Sequence, residues 1–334
     1  MNRSWYSGKR DHPRPERPVE LPVSLVEKHT DPAGYLADEG LADAVNVALH
    51  LGQPLLLTGE PGTGKTQAAF SVAWQLGYDQ PLKFETKSGS VARDLFYTYD
   101  ALGRFFLAQV AKSGDAHGKA DPLEFIDYNA LGTAILRARE EKEVKHLLPD
   151  GFTHGGKRRS VVLIDEIDKA PRDFPNDVLN EVEGMYFKIP ELGNVEVRTD
   201  EDMRPILIMT SNSEKNLPEA FLRRCVFYHI PFPDDDRLRD IVFSRMGETA
   251  LDDLLGDALQ LFGKLRDPSA GLGKAPSTGE FLAWLRVMTS GPNEKASLRS
   301  PAMVQPTLSI LVKNKDDRDR AEGLLKEQLT EWQA

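Results

Sequence analysis

One segment, residues 59–66, constrains the fold of this chain more than any other part of it. It reads Gly-Glu-Pro-Gly-Thr-Gly-Lys-Thr and matches the pattern G-x-x-x-x-G-K-[ST] in full. An apolar run over residues 55–57 precedes it and a helical pattern over residues 67–76 follows, which is the context that the pattern requires. Its glycines let successive N–H groups and a helix N-terminus point at a phosphate. The predicted nucleotide contacts are Gly59, Glu60, Pro61, Gly62, Thr63, Gly64, Lys65, Thr66 and Gln67.

A second apolar segment, residues 161–164, ends in Asp165 and Glu166. Charges at the carboxyl end of a parallel strand lie where ligands bind in open α/β sheets. In such a site Lys65 reaches the β and γ phosphate oxygens, and Thr66 and Asp165 are the candidate Mg²⁺ ligands. Glu166 is placed to polarise the water that attacks the γ-phosphate. The two segments together predict a Mg²⁺-dependent P-loop hydrolase.

Short apolar segments alternate with helical patterns in the first two thirds of the chain. Besides residues 55–57 and 161–164, strands are predicted at residues 81–85, 206–209 and 227–230. This alternation predicts an α/β fold, a P-loop αβα sandwich with a parallel five-stranded sheet. After a Pro and Asp cluster the pattern becomes helical and predicts a C-terminal all-helical lid domain. The predicted lid helices are residues 237–246, 250–266, 278–290, 303–312 and 316–332.

The chain divides by composition into three parts. Residues 1–20 are basic and proline-rich, which predicts a flexible tail, either a solvated leader or a basic arm that binds a partner. Residues 21–233 are the predicted nucleotide-binding domain, and residues 234–334 are the predicted helical lid domain.

Charge and cysteine content exclude several classes of protein. The formal net charge of −10 makes nucleic acid an unfavourable partner for the molecule as a whole. Cys225 is the one cysteine, so no intramolecular disulfide and no cysteine-based zinc centre can form. No apolar run reaches the ~20 residues that span a bilayer, and the N-terminus lacks the apolar region of a signal peptide. We expect a cytoplasmic protein with no membrane association.

Four motifs in order resemble the AAA+ ATPases. They are GEPGTGKT at residues 59–66, LIDEID at 163–168, LIMTSN at 207–212 and LPEAFLRRC at 217–225. The resemblance covers residues 35 to 312. Within AAA+ the chain is similar to the MoxR-like group with its helix-2 insert, through Asp94-Leu95 and the segment ALGTAIL at residues 130–136.

The resemblance implies a ring enzyme that uses ATP and Mg²⁺. Asn212 then takes the sensor-1 position, where an amide helps to position the attacking water. Arg224 takes the arginine-finger position, with Arg223 beside it, and a planar guanidinium stabilises spread phosphoryl charge. In AAA+ rings a neighbouring subunit supplies this finger, so the resemblance implies a homo-oligomer, a hexamer. The alternatives are a turn-forming Asn and a basic pair at a helix C-terminus.

The chain departs from the MoxR-like pattern in the lid. Many members carry an arginine after a proline there as sensor 2, whereas this chain has Ser277 after Pro276. Lys274 is a candidate substitute, and a solvated loop lysine is the alternative.

Two hairpins are predicted as client-binding inserts. The first has strands over residues 95–99 and 104–107 around a turn at 100–103, and the second has residues 185–187 and 195–197 around Gly193-Asn194. By the resemblance they are the helix-2 insert and the pre-sensor-1 hairpin, and their aromatic residues either grip a client or a DNA strand or pack on their own domain.

Two further segments have competing interpretations. Residues 308–317 resemble a strand followed by the guanine-specifying pattern N-K-x-D, but residues 165–168 lack the glycine of D-x-x-G, so a lid helix ending in a solvated charged turn is favoured over GTP binding. Residues 140–159 are polar and predict an exposed insertion, with Lys157-Arg158-Arg159 as an alternative basic contact.

The function that these patterns favour is a ring-forming MoxR-like ATPase. By the resemblance it couples ATP hydrolysis to remodelling or activating a protein partner, such as a client or a von Willebrand A-type domain protein. Two alternatives stay open: a nucleotide-gated scaffold of a defence or signalling system, and a DNA-acting motor, which the net charge disfavours.

Overall fold

The computed structural model describes residue 17 and residues 31–113, 121–213, 217–247, 252–289 and 298–333. The chain forms two compact units. The sheet unit comprises Ala37–Gly59 and Lys65–Ile230, and the helical unit comprises Pro231–Ala334 with Glu60–Gly64 and Met1–Leu36. The predicted tail over residues 1–20 lies outside the described residues apart from Arg17.

The sheet unit is built on the predicted parallel sheet. Five strands lie in the order β2-β5-β8-β1-β9, and every neighbouring pair is parallel. The strands are β1 (Leu55–Thr58), β2 (Leu82–Glu85), β3 (Tyr97–Tyr99), β4 (Ile126–Tyr128), β5 (Val161–Asp165), β6 (Tyr186–Ile189), β7 (Val195–Arg198), β8 (Ile206–Thr210) and β9 (Val226–His229). All five strand positions predicted from apolar runs are confirmed.

The described helices of the sheet unit are α1 (Glu39–Leu51), α2 (Lys65–Gln75), α3 (Ala101–Ser113), α4 (Ala130–Arg137), α5 (Glu141–Val144), α6 (Phe174–Asp177), α7 (Leu179–Gly184) and α8 (Glu219–Leu222). Helix α1 begins at a capping carboxylate, since Asp38 accepts a hydrogen bond from the Leu41 N–H at 2.8 Å. It ends before Gly52, whose φ of 63° is the left-handed conformation that terminates helices. Helix α2 begins inside the phosphate loop.

One large buried cluster of the sheet unit lies on one face of the sheet. Alternate residues of a strand point to opposite faces, and Leu56, Ile164 and Met209 from three neighbouring strands belong to one buried cluster. Helix α4 packs into the same cluster. Gly132 permits a close approach there, because a Cβ at this position would lie 2.0 Å from the Phe96 carbonyl oxygen.

The first predicted hairpin is wrong. The chain enters α3 directly after β3, and β3 pairs antiparallel with β4, with Tyr97 opposite Tyr128. Asp100 explains the difference, because its carboxylate accepts the Gly103 N–H at 2.8 Å and its carbonyl accepts the Arg104 N–H at 3.1 Å. These contacts begin a helix where a turn was expected. The insert is therefore a strand, a helix and a strand.

The second predicted hairpin is confirmed. Strands β6 and β7 pair antiparallel, with Tyr186 opposite Arg198. Gly193 and Asn194 both have positive φ, at 76° and 63°, as the predicted turn requires. Its inward aromatic residue, Phe187, packs against the rings of the other small sheet.

Most aromatic residues of these inserts pack on their own unit. The ring of Phe187 stacks on Phe96 at a centroid distance of 5.3 Å and lies 6.2 Å from Tyr97. In contrast, Phe105 and Phe106 on α3 are 57% and 65% exposed. Phe96, Tyr97 and Phe187 therefore pack on their own unit, whereas Phe105 and Phe106 remain exposed.

The predicted insertion at residues 140–159 is partly wrong. Its apolar residues Val144 and Leu147 are buried in the core of the sheet unit, together with His154. Lys157 pairs with Asp200 at 2.7 Å. Because the segment is mostly polar, its sequence provided no signal that these residues are buried.

The described helices of the helical unit are α9 (Asp235–Met246), α10 (Asp252–Arg266), α11 (Thr278–Thr289), α12 (Pro301–Val304), α13 (Leu308–Leu311) and α14 (Lys315–Gln333). Phe262, Phe281 and Trp284 lie in its core. The predicted helix over residues 303–312 is instead broken, with a 3-10 turn over Gln305–Thr307 that contains Pro306. In the described ranges, no helix is long and apolar enough to cross a membrane.

The guanine-specifying interpretation of residues 308–317 fails, because residues 308–311 form a helix and not a strand. Residues 313–316 after this helix are exposed and form the expected solvated turn, whereas Asp317 behind them is buried. Asp317 is 1% exposed and accepts the Gly273 N–H at 2.7 Å, while Asn314 accepts the Asp317 N–H at 2.8 Å. Asn314 and Asp317 thus tie two parts of the helical unit together.

Candidate nucleotide site

The phosphate loop has the backbone that its glycines predict. Gly59, Gly62 and Gly64 have φ values of 144°, 82° and 92°, which disfavour residues with a side chain. Lys65 is only 6% exposed, and its ammonium donates to the Gly59 carbonyl at 2.8 Å. The amine is thus folded back along the loop, close to where a phosphate would bind.

Asp165 is the centre of a hydrogen-bonded cluster at the carboxyl edge of the sheet. Its Oδ1 accepts the Thr66 hydroxyl at 2.9 Å and the Thr210 hydroxyl at 2.7 Å. Its Oδ2 lies 3.0 Å from the Lys83 ammonium. The structure therefore brings the two predicted Mg²⁺ ligands, Thr66 and Asp165, into direct contact.

The electrostatics of this cluster keep Asp165 ionised. Burial alone would raise the pKa of the carboxyl, but hydrogen bonds from Thr210, Lys83 and Thr66 outweigh burial and lower the pKa below its usual range. A carboxylate that stays charged is available to a cation across the physiological pH range.

The cluster fits a magnesium ion. Mg²⁺ prefers oxygen ligands and is usually held by one or two carboxylates together with substrate phosphates, rather than by an all-protein cage. Thr66 and Asp165 offer a hydroxyl and a carboxylate oxygen 2.9 Å apart. Within the described residues there is no group of three or more His, Cys, Asp and Glu side chains that could form such a cage.

Glu166 lies beside Asn212, as the sequence predicts. The Asn212 amide donates to Glu166 Oε1 at 3.4 Å, and the Asn212 N–H donates to Asp168 at 3.2 Å. Lys169 forms an ion pair with the other oxygen of Glu166. Glu166 has a φ of 55°, an unusual conformation for a residue with a side chain and one that recurs at functional sites.

The two candidate finger arginines differ in their surroundings. The Arg224 Nε donates to Glu183 at 3.0 Å, and the side chain is 43% exposed. The Arg223 side chain is 75% exposed and pairs with Glu219 one turn earlier in α8. Both arginines lie on the sheet unit. An exposed ion pair of this kind contributes little stability, so either arginine can leave its glutamate and bind another anion.

The lid residues singled out by the sequence lie in the helical unit. Ser277 and Glu280 form a capping box at the start of α11, in which Glu280 accepts the Ser277 N–H at 2.8 Å. This cap gives Ser277 a structural role at the position where an arginine was expected. A Cβ on Gly62 would lie 2.5 Å from the Ser277 Cβ. Lys274 is half exposed, and its ammonium is 3.6 Å from Glu280.

A contact to the phosphate loop that the sequence did not reveal comes from Arg266. Its guanidinium donates to Glu60 at 2.8 Å and to the Pro276 carbonyl at 2.7 Å. It also lies over the Phe232 ring, 3.3 Å from the centroid. No motif marks this arginine, because it ends an ordinary amphipathic helix.

Two other residues of the site were missed by the sequence analysis. Thr210 precedes Asn212 in the motif LIMTSN, and a hydroxyl residue at the end of a buried strand was the available signal. Lys83 gives no such signal, because a lysine on a short strand is typical of a solvated edge. Among the predicted contacts, Gln67 has a buried side-chain oxygen with no hydrogen-bond partner in the described part of the chain.

Comparisons with known proteins identify the family of the chain. Residues 55–233, more than half of the chain, match the ATPase family associated with various cellular activities (AAA). A search of curated proteins finds no match. Among solved structures, the FIGL-1 AAA domain in complex with ADP matches with 15% identity and a TM-score of 0.41, over 95% of this chain and 90% of that chain. The family match and the site together lead to one conclusion: this chain belongs to the AAA family of ATPases.

Proposed function

We propose that this protein is a ring-forming, MoxR-like AAA+ ATPase that couples ATP hydrolysis to remodelling or activating a protein partner. The observation that carries the proposal is the cluster of Thr66, Asp165, Glu166 and Asn212 at one edge of the sheet. Motif order and the strand-helix-strand insert support the MoxR-like assignment.

In this proposal the phosphate loop binds ATP. Main-chain N–H groups of residues 59, 60 and 62–66 surround the phosphates, and Lys65 leaves the Gly59 carbonyl for the β and γ oxygens. Mg²⁺, when bound, neutralises charge on the phosphates. Thr66 and Asp165 are its proposed protein ligands, since they already share a hydrogen bond.

Glu166 and Asn212 are the proposed water-positioning pair. A carboxylate accepts a proton from the attacking water, and an amide at 3.4 Å fixes the carboxylate in orientation. Arg224 is the proposed finger that reaches the nucleotide of a neighbouring subunit in a hexamer, after its exposed pair with Glu183 opens. Arg223 is the second candidate for this role.

We further propose that residues 21–233 are the nucleotide-binding domain and residues 234–334 the lid, in a protein of the cytoplasm. Lys274 is the proposed lid cation, since Asp317 fixes its main chain and leaves the side chain half exposed. The net charge of −10 argues against nucleic acid as the client.

Helix α3 is the proposed contact for the protein partner. Leu102, Phe105 and Phe106 are 72%, 57% and 65% exposed. Exposure of several large apolar side chains on one helix is unfavourable in water and is typical of an interaction surface. These side chains are carried on the insert and lie outside the buried core cluster of the sheet unit. Aromatic side chains are the most frequent anchors of protein interfaces.

A trapping experiment tests whether binding of the protein partner is coupled to binding of ATP. Glu166→Gln protein on a resin with ATP is expected to retain a partner that Lys65→Ala protein does not, because only the former holds ATP. The same variant with Phe105→Ser and Phe106→Ser is expected to lose that partner. Bound proteins are identified by mass spectrometry.

The matched control replaces two exposed apolar residues elsewhere in the sheet unit, Leu51 and Trp74, with Ser. It is expected to retain the partner. Capture of the same proteins by all variants, irrespective of ATP and of α3, would contradict a partner-remodelling role.

One observation favours a second function, a nucleotide-gated scaffold with slow hydrolysis. Ser277 caps α11 at the position where the MoxR-like pattern has an arginine, so the proposed lid offers one cation fewer to the γ-phosphate. Assembly into full rings without any nucleotide would exclude this alternative.

A further inference from the structure

A lysine on the edge strand β2 shares the carboxylate proposed to hold Mg²⁺. The Lys83 ammonium lies 3.0 Å from Asp165 Oδ2 and 2.8 Å from Glu85 Oε1. The register of β2 and β5 produces this arrangement, because Glu85 lies opposite Asp165. Lys83 is two residues earlier in the strand and so points to the same face. One ammonium therefore bridges two carboxylates.

The partners of Asp165 divide into neutral and charged groups. Its Oδ1 accepts two hydroxyl groups, from Thr66 and Thr210, which orient the carboxylate without neutralising it. Lys83 supplies a formal positive charge to Oδ2. Asp165 is only 8% exposed, and a buried carboxylate without a counter-ion is costly.

Lys83 stays charged in this position. A lysine is protonated at neutral pH, and both partners of this ammonium are carboxylates. Its side chain is one third exposed, so it can move aside without disturbing the core.

We propose that Lys83 is a counter-ion of Asp165 and that its positive charge determines how strongly nucleotide binding depends on Mg²⁺. This inference rests on the proposed function, because it concerns the same phosphate site. Lys83 acts through Asp165 and is a positioning residue.

The reason for this effect is the net charge of the cluster that the phosphates of a nucleotide approach. Two carboxylates and one ammonium leave this cluster with one negative charge, and removal of Lys83 leaves two. Without Mg²⁺, the phosphates of a nucleotide are then repelled more strongly. With Mg²⁺, the extra negative charge favours the cation. The variant is therefore expected to depend more on Mg²⁺, whereas a lysine that only keeps an edge strand soluble would not alter this dependence.

The test measures ADP dissociation constants by calorimetry, in excess Mg²⁺ and in EDTA. For Lys83→Met, the ratio of the EDTA value to the Mg²⁺ value is expected to rise about tenfold over wild type, a typical coupling between two binding sites. Lys83→Arg keeps the charge and is expected to stay within about twofold of wild type.

Lys87→Met is the matched control. Lys87 is an exposed lysine just beyond β2 whose charge also acts on Glu85, so the variant removes the same net charge nearby. Its ratio is expected to stay close to wild type. Glu85→Gln is expected to shift the ratio the other way, about threefold lower, because Lys83 then serves Asp165 alone.

Two results would overturn the inference. One is an unchanged ratio in Lys83→Met, and the other is an equal rise in Lys87→Met, which would indicate net charge and not the Asp165 contact. Failure of the wild type to bind ADP under either condition would instead overturn the proposed function, so the two failures are distinguishable.

Discussion

Glu166→Gln is expected to lower ATP turnover at least about 100-fold while ADP and ATP affinities stay near wild type, since general bases contribute about this much or more. Glutamine keeps the size of the side chain and its oxygen can still accept the Asn212 amide, but it cannot take a proton from water. The measurement is single-turnover hydrolysis beside equilibrium binding of the same nucleotide.

Asp168→Asn is the control for the loss of a nearby carboxylate. Asp168 accepts the Asn212 N–H at 3.2 Å, so this variant disturbs the same pair without removing the proposed base. We expect a smaller loss than in Glu166→Gln. Normal turnover in Glu166→Gln would show that another group activates the water.

Mixing of two inactive variants is expected to restore activity. Arg224→Ala subunits bind ATP but offer no finger, and Lys65→Ala subunits bind poorly but keep the finger. In random mixed rings about a quarter of the sites combine a nucleotide with an intact neighbour, so an equal mixture is expected to regain about that share of the wild-type rate. The measurement is steady-state ATP hydrolysis against the mixing ratio.

The control for this mixture is Arg224→Ala with a Lys65→Ala/Arg224→Ala double variant, which is expected to stay inactive. Arg223→Ala tests the second arginine. We expect it to lower the rate of ATP hydrolysis only slightly, because Arg223 is the more exposed of the two and pairs within its own helix. Mixed rings that form but do not recover activity would exclude a finger supplied in trans.

The sheet was predictable because its central strands, β1, β5 and β8, are buried on both faces. Strands β1 and β5 are buried at every position, and residues 55–57 and 161–164 within them are apolar throughout and give a continuous signal. The insert was not predictable in the same way, since β3 pairs with β4 across α3 and this long-range pairing leaves no local pattern. Gly103 looked like a turn residue, and only the Asp100 cap shows that it lies in a helix.

The residues predicted for the centre of the site do lie close together, because strand ends and a loop carry the motifs to the same edge of the sheet. Thr66 donates a hydrogen bond to Asp165, and Asn212 donates one to the adjacent Glu166. Lys83 was missed because its role depends on the register of β2 against β5. The capping box that Ser277 forms with Glu280 gives the physical reason that a serine is stable at this position.

The most direct measurement is ATP turnover per subunit as a function of protein concentration, with GTP in parallel and particle size measured at each concentration. If neighbours complete each other's sites, the rate per subunit rises over the concentration range in which rings assemble, and ATP is preferred over GTP. A rate per subunit that stays constant while rings assemble would contradict a shared active site.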